Sequence, residues 1–306
     1  MSASASGAAS SFRAGPAVGL IALDFDGTMT DAEAEGVPFT EGYLADLALL
    51  VGQPLDEVRA IAAQAARAVA AAPGAHGWRF GGRIVAPATV DPYLRMMPVA
   101  RAVLDHHGAF RDEVERGRLL DDILFKYNYA KTRTVFRDGA RAALDALAAL
   151  PGVRTCVVTN AHTEAVQRKV GELARAGGDG HGLDWLIARI GGNARKYLID
   201  DDFTVVPEHL AVPGLARPVL LRRRHYHDVL AAMLADIGRS FAELLVVGDV
   251  FELDLALPLA LGARVVLVAN PYTPAHEVAF VAAQPRGAVI AALADLPRLL
   301  DARSSS

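Results

Sequence analysis

The chain has 306 residues, 52% of them hydrophobic, and a formal net charge of −4 at pH 7. This length suits an α/β domain with an insertion, and a mildly acidic chain without a long basic run argues against nucleic acid as a partner. No uninterrupted apolar run reaches transmembrane length, and the single cysteine, Cys156, provides neither a disulfide framework nor a thiolate metal site. We therefore expect a cytoplasmic protein that does not enter a membrane.

Both ends of the chain have too few large apolar residues to form a folded core. Residues 1–17 are rich in Ser, Ala and Gly and lack the apolar core of a secretory signal, and residues 303–306 are Arg followed by three Ser. We expect both segments to be disordered tails.

The first predicted strand leads into two acidic residues. The apolar run Val18–Leu23 is typical of a strand buried on both faces, and Asp24, Asp26 and the turn residue Gly27 follow it. Open parallel α/β sheets bind ligands at the carboxyl ends of their strands. Two neighbouring carboxylates repel each other and favour a hard divalent cation, although Asp is also a common helix cap and turn residue.

A long helical segment follows. Apolar residues recur at helical spacing, for instance at Tyr43, Leu47 and Leu50, whereas Trp78–Met97 has no clear period. Residues 32–130 are too many for a loop, so we predict an inserted, mainly α-helical domain.

From Phe136 onward, strands and helices alternate, which predicts a parallel sheet with right-handed crossovers. The predicted strands are Val153–Val158, Trp185–Ile190, Leu244–Val247, Arg264–Ala269 and a segment near Val289. The segment Asp200–Leu221 contains three prolines and is predicted to be an irregular excursion.

Polar residues follow two of these strands in positions that suit phosphate binding. Thr159 and Asn160 follow Val153–Val158, and a hydroxyl beside backbone N–H groups can bind phosphate, although Thr also caps helices. Lys196 lies six residues beyond Ile190, where its ammonium could keep a carboxylate ionised. The alternative cations are Arg217 and the run Arg222–Arg224. We interpret the run as a solvated face or helix start.

The strand Leu244–Val247 leads into a second acidic loop. Gly248 is followed by Asp249 and then, five residues later, by Asp254. Both carboxylates can reach one Mg²⁺ or its waters. Glu252 is the alternative acid, but we expect it to face outward.

Together these segments resemble the haloacid dehalogenase (HAD) superfamily. The run Asp24-Phe-Asp-Gly-Thr28 is similar to its nucleophile motif, and the other motifs of the family are matched in order by Thr159, Lys196 and Gly248-Asp249 with Asp254. The chain departs from the family where Lys196 precedes Tyr197 rather than Pro. The resemblance implies an α/β fold with a Rossmann-like parallel sheet core and a helical cap inserted after the first motif.

The resemblance also implies a role for each residue. Asp24 would be the nucleophile and Asp26 the general acid and base. The phosphoryl group would be bound by Thr159, Asn160 and Lys196. Mg²⁺ would be held by Asp24, the backbone carbonyl of Asp26 and Asp249, with Asp254 in support.

We therefore predict a core of residues 18–31 and 131–302 and a cap of residues 32–130. The predicted activity is Mg²⁺-dependent hydrolysis of a small phosphorylated metabolite through an aspartyl phosphate. A phosphomutase and a catalytically silent binding protein on the same scaffold are the alternatives, and the second Asp disfavours a dehalogenase. The substrate itself is not predicted, but candidate contacts to its leaving group are Arg79, Arg83, Tyr93 and Arg95.

Overall fold

The computed structural model describes residues 16–176 and 182–301. The predicted tails lie outside these ranges, apart from Pro16 and Ala17. The chain divides into two compact units. The first joins the residues up to Thr30 to those from Phe136 onward, and the second is Asp31–Val135.

Within the described residues, six strands of the first unit form one parallel sheet. The strands of both units, in chain order, are β1 (Leu20–Leu23), β2 (Gly77–Phe80), β3 (Arg83–Pro87), β4 (Arg154–Val158), β5 (Ile190–Gly191), β6 (His209–Leu210), β7 (Val219–Leu220), β8 (Leu244–Gly248), β9 (Arg264–Val268) and β10 (Gly287–Ile290). The order in the large sheet is β10-β9-β8-β1-β4-β5, and each neighbouring pair is parallel. This confirms the predicted Rossmann-like α/β core.

Both faces of this sheet are buried, as the apolar strands predict. In β1, Ile21 and Leu23 join one hydrophobic cluster, whereas Leu20 and Ala22 join another on the opposite face. The α-helices of this unit are Ala140–Ala148, Thr163–Ala176, Asp184–Ile187, Arg224–Ala235, Ala256–Ala260, Ala275–Ala283 and Leu296–Asp301.

The predicted strand Trp185–Ile190 is wrong over most of its length. Asp184–Ile187 is a short helix, and only Ile190 continues into β5. The buried residues of this segment are Leu183, Leu186 and Ile190. Their spacing of three and four follows a helical rather than an alternating period, and this pattern extends one residue before the predicted strand.

The excursion Asp200–Leu221 is more ordered than predicted. Strands β6 and β7 pair antiparallel within it, and the Asp200 N–H donates to the Arg222 carbonyl at 2.8 Å, which closes its ends. Its buried apolar side chains join the core of the first unit at Phe203, Val206, Val212, Val219 and Leu221. The excursion is therefore a packed part of this unit.

The second unit is mainly helical. Its α-helices are Ala32–Val51, Leu55–Ala71, Pro92–His107, Glu113–Gly117 and Phe125–Tyr129, with a π-helix at Arg118–Leu124. The sequence pattern missed the antiparallel hairpin β2–β3, whose turn Gly81-Gly82 has positive φ at both residues. Among the described residues, no helix is both long and apolar enough to cross a membrane.

Candidate active site

Polar residues from four neighbouring strands meet at the carboxyl edge of the sheet. Asp249 follows β8, Asp24 follows β1, Thr159 follows β4, and the loop that carries Lys196 follows β5. All four residues are at most 8% exposed. Burial of so many polar groups is costly unless they are paired, so this edge is a candidate site.

The turn after β1 brings Asp24 close to Asp249. The Asp24 N–H donates to the Val247 carbonyl at 2.8 Å, which continues the sheet pairing by one residue. Gly27 has φ +80°, and a Cβ there would lie 2.1 Å from Asp249 Oδ2, so this position accepts only Gly. Thr28 Oγ1 lies 3.2 Å from both Asp24 Oδ2 and Asp249 Oδ1.

The Gly27 peptide is held on both sides by residues that the sequence reasoning missed. The Gly27 N–H donates to Thr30 Oγ1 at 3.2 Å, and Arg137 Nε and Nη2 donate to the Gly27 carbonyl at 2.8 and 2.6 Å. These bonds fix the turn between Asp26 and Thr28. Arg137 lies 110 residues away in sequence, so no local pattern indicates this contact.

Asp26 differs from Asp24 in its surroundings. Its side chain is 46% exposed, and its Oδ1 lies 3.6 Å from Lys169 Nζ. The Asp26 carboxylate is therefore accessible to solvent, whereas Asp24, Asp249 and Asp254 are buried.

Lys196 contacts two of the buried carboxylates. Its Nζ lies 2.6 Å from Asp24 Oδ1 and 2.8 Å from Asp254 Oδ1, and its side chain is 1% exposed. The aromatic ring of Tyr226 lies beneath the ammonium at 5.5 Å, and the Tyr226 hydroxyl donates to the Asp254 carbonyl at 2.9 Å. Tyr226 is another site neighbour that the sequence reasoning missed.

The loop before Lys196 is held by the residues that follow β4. The Lys196 N–H donates to Asn160 Oδ1 at 2.7 Å, and the Ala194 N–H donates to the Thr159 carbonyl at 2.9 Å. Thr159 Oγ1 accepts from the Ala161 N–H at 3.1 Å. Thr159 and Asn160 thus shape the loop, and their contact with substrate stays a prediction.

Asp254 is turned toward the site by its own loop. The Val250 N–H donates to Asp254 Oδ2 at 3.0 Å. A Cβ at Gly248 would lie 2.5 Å from Asp254 Cβ, so Gly248 permits this approach. The Gly-Asp pair at the end of β8 therefore places both acids of the loop at the same edge.

Three carboxylates of this cluster fit a hard divalent cation. One oxygen each from Asp24, Asp249 and Asp254 lies within 4.8 Å of the other two, and all three residues are buried. One ammonium, that of Lys196, contacts Asp24 and Asp254 of this cluster, so acidic groups outnumber the cation that lies among them. A set of carboxylate oxygens with this excess of acidic groups matches Mg²⁺.

Burial and the neighbouring charges shift the pKa values of Asp24 and Lys196 in opposite directions. Burial raises the pKa of Asp24 to about 7, against the Lys196 ammonium, which lowers it. Burial alone would lower the pKa of Lys196, but Asp24 and Asp254 outweigh it and raise that pKa. Lys196 is therefore charged at neutral pH, and further positive charge beside Asp24 would favour the carboxylate form.

One expectation about a neighbouring residue was wrong, and a second was confirmed in part. Glu252 does not face outward, since it is 1% exposed and its carboxylate accepts from Arg217 at 2.6 and 2.8 Å. The run Arg222–Arg224 contains the expected helix start, since Arg224 begins the helix Arg224–Ala235, but Arg223 is fully buried and donates to the Lys196 carbonyl, so the run is not a solvated face. In both cases a distant segment supplies the partner.

Comparison with solved structures identifies chains that are similar to this one over most of their length. The chain is similar to a predicted phosphoglycolate phosphatase from Haemophilus somnus 129PT, with 16% identity, a TM-score of 0.49, and coverage of 92% of this chain and 97% of that one. It is also similar to the putative HAD hydrolase YfnB from Bacillus subtilis, whose structure contains magnesium, with 16% identity, a TM-score of 0.48, and coverage of 94% and 100%. A 2-haloacid dehalogenase from Pseudomonas syringae pv. tomato has 18% identity, a TM-score of 0.42, and coverage of 94% and 100%. At these values the likeness carries no argument about the reaction.

The comparison of the sequence with protein families gives a firmer result. No curated protein matches the chain. A family model described as haloacid dehalogenase-like hydrolase matches residues 18–262. Because this match spans well over half of the chain and includes the whole cluster of strand-end residues, the protein belongs to the haloacid dehalogenase-like hydrolases.

Proposed function

We propose that the protein is a Mg²⁺-dependent phosphohydrolase that cleaves the phosphate monoester of a small metabolite. The observation that carries this proposal is the contact of one buried ammonium, that of Lys196, with Asp24 in a cluster of three carboxylates. Such a site presents a nucleophile beside positive charge, which is what transfer of an anionic phosphoryl group requires.

Asp24 is the nucleophile of the covalent step. One of its oxygens attacks phosphorus while the bond from phosphorus to the leaving oxygen breaks, and Asp26 donates its proton to that oxygen. Asp26 then takes a proton from water, whose oxygen attacks phosphorus, so that phosphate leaves and Asp24 is restored. The half-exposed Asp26 and the buried Asp24 suit these separate roles.

Positively charged groups would stabilise the negative charge of the phosphoryl oxygens during the reaction. Lys196 would bind a phosphoryl oxygen as well as Asp24, and Thr159 would donate its hydroxyl to another. Asp24 and Asp249 would hold Mg²⁺ with the backbone carbonyl of Asp26, and Asp254 would support them. Bound there, Mg²⁺ would offset the charge of the phosphoryl oxygens.

The test is a screen of purified protein against a panel of phosphate esters, with and without Mg²⁺. Sugar phosphates, nucleotides, phosphoglycolate and p-nitrophenyl phosphate cover the main classes, and a 2-haloacid is included as a different reaction. We expect phosphate release from at least one ester and none from the Asp24→Asn variant. Halide release without phosphate release would overturn the proposal, and so would phosphate release that survives Asp24→Asn.

A further inference from the structure

A buried ion pair joins Arg217 to the loop that carries Asp249 and Asp254, which we call the metal-site loop. Glu252 lies between Asp249 and Asp254 in the sequence, and its side chain is 1% exposed. Both of its oxygens accept from Arg217, from Nη2 at 2.6 Å and from Nη1 at 2.8 Å. This forked pairing fixes direction as well as distance, because two parallel bonds resist rotation of either group.

Arg217 comes from the excursion that separates Lys196 from the next helix. Its side chain is 13% exposed, so this ion pair is screened little by solvent. The backbone on either side of it is anchored by the buried side chains of Val212 and Val219. The pair therefore ties a packed segment to the loop that carries Asp249 and Asp254.

Two residues beyond the end of this excursion, Arg223 contacts Lys196. Arg223 is fully buried, and its Nη1 donates to the Lys196 carbonyl while its Nε donates to the Leu220 carbonyl at 3.0 Å. Its neighbours in sequence make different contacts: Arg222 donates to the Asp201 carbonyl and Arg224 pairs with Asp200. Only Arg223 of this run reaches the residue that contacts Asp24.

We propose that residues 200–223, which we call the brace, position the two charged parts of the active site, Arg217 through Glu252 and Arg223 through Lys196. This inference rests on the proposed function, because it assigns positioning roles within that site. Arg217 and Arg223 are positioning residues and do not touch the reacting atoms. The brace thus explains why an excursion of this length lies between Lys196 and the helix Arg224–Ala235.

The two arms of the brace should have different signatures. The Arg217–Glu252 pair fixes the metal-site loop, so its loss should weaken Mg²⁺ binding by about 10- to 100-fold, as for other groups that orient metal ligands. Arg223 holds the backbone carbonyl of Lys196, so Arg223→Lys should lower kcat by about tenfold or more. Mg²⁺ affinity should fall less than on the Arg217 arm, because the Arg217–Glu252 pair is intact in this variant. A merely structural role would lower stability without this division.

The experiment measures Mg²⁺ binding by titration calorimetry and turnover of the best ester found in the screen. The variants are Arg217→Met, Glu252→Gln, the double variant of both, and Arg223→Lys. The control is Arg298→Met, which removes an arginine of the same unit that lies outside the brace and whose side chain is 87% exposed. Thermal unfolding of each variant shows whether it is folded.

The double variant separates positioning from stability. A single change at Arg217 leaves a buried, unpaired carboxylate, which can unfold the protein, whereas removal of both charges is often neutral for stability. If the pair positions the loop, Mg²⁺ binding stays weak in the double variant although its stability recovers. If Mg²⁺ binding recovers together with stability, the positioning role is overturned.

The outcomes also separate this inference from the proposed function. If wild type binds Mg²⁺ and hydrolyses an ester, but Arg223→Lys and the double variant behave like Arg298→Met, the brace is overturned and the proposed function stands. If wild type neither binds Mg²⁺ nor hydrolyses any ester, the proposed function fails and the brace fails with it. A weaker Mg²⁺ affinity on the Arg217 arm and a lower kcat on the Arg223 arm support the proposal.

Discussion

The two units bury polar groups in different ways. In the second unit, the buried side chains of Asn128 and Arg116 pair with backbone and with carboxylates that are themselves at least partly exposed. Asn128 donates to the Leu124 carbonyl at 3.0 Å and to Asp46 Oδ2 at 2.8 Å, and Arg116 donates to the Phe110 carbonyl at 2.8 Å and contacts the exposed Asp105. In the first unit, Lys196 and Asp24 are 172 residues apart in sequence and lie 2.6 Å apart. Pairing of a single buried polar group with backbone or with a partly exposed carboxylate stabilises a fold, whereas convergence of several buried charges at one edge indicates a site.

This contrast predicts that mutations in the two units affect activity and stability differently. Changes to the convergent charges should reduce activity far more than stability, and changes to the apolar interior of the second unit should do the reverse. The largest expected effect comes from the nucleophile.

Asp24→Asn should reduce turnover by about 10⁴-fold or more, because the amide keeps the shape of the side chain but cannot attack phosphorus. Steady-state kinetics on the best ester measure this loss, and thermal unfolding checks the fold. Turnover comparable to wild type would show that the convergent cluster is not the catalytic centre.

Removal of metal should abolish activity, and Mg²⁺ should restore it, since three buried carboxylates lie together and the Lys196 ammonium contacts only two of them. Dialysis against EDTA followed by titration with MgCl₂ measures the effect. Asp249→Asn is the matched variant, and it should need more Mg²⁺ for half-maximal activity. Full activity in metal-free protein would contradict the charge argument.

Lys196→Ala should lower kcat by roughly 10²-fold, as for loss of another preorganised electrostatic group. The matched control is Arg298→Ala, which removes a cation that lies on the surface of the same unit and should leave kcat near wild type. Equal losses in the two variants would argue that positive charge on this unit acts without a specific contact.

The smallest effect on activity is expected in the second unit. Leu104→Ala removes a fully buried side chain from its apolar core and should lower the free energy of unfolding by about 2–5 kcal/mol, with kcat per folded molecule little changed. Leu49→Ala, at an 82% exposed position, should change stability by less than about 0.5 kcal/mol. Urea unfolding measures both, and a large loss of kcat in folded Leu104→Ala would remove the distinction between the units.

Much of the first unit could be predicted because its signals are local. An apolar run that ends in acids or in Gly-Asp predicts both a buried strand and a polar strand end, which places Asp24 and Asp249 correctly. Lys196 was placed by its position after β5, even though most of the strand predicted before it is a helix. The Gly81-Gly82 turn was a readable hairpin signal that the interpretation of Trp78–Met97 did not use.

The remaining features depend on contacts between distant segments. Nothing local distinguishes Arg223 from Arg222 and Arg224, yet only the packing of the brace buries it completely. Glu252 and Arg217 are 35 residues apart, and neither neighbourhood indicates the other. Buried charges of this kind are determined by tertiary pairing, which a single sequence does not reveal.

The most direct test of the central claim is to trap the phosphoryl group on the enzyme. The protein is mixed with its best ester in Mg²⁺, quenched in acid within one turnover, digested, and analysed by mass spectrometry. We predict the added mass of one phosphoryl group on the peptide that contains Asp24, and its absence from the Asp24→Asn variant. Turnover with the phosphoryl group found on a different residue would contradict the assignment of Asp24 as the nucleophile.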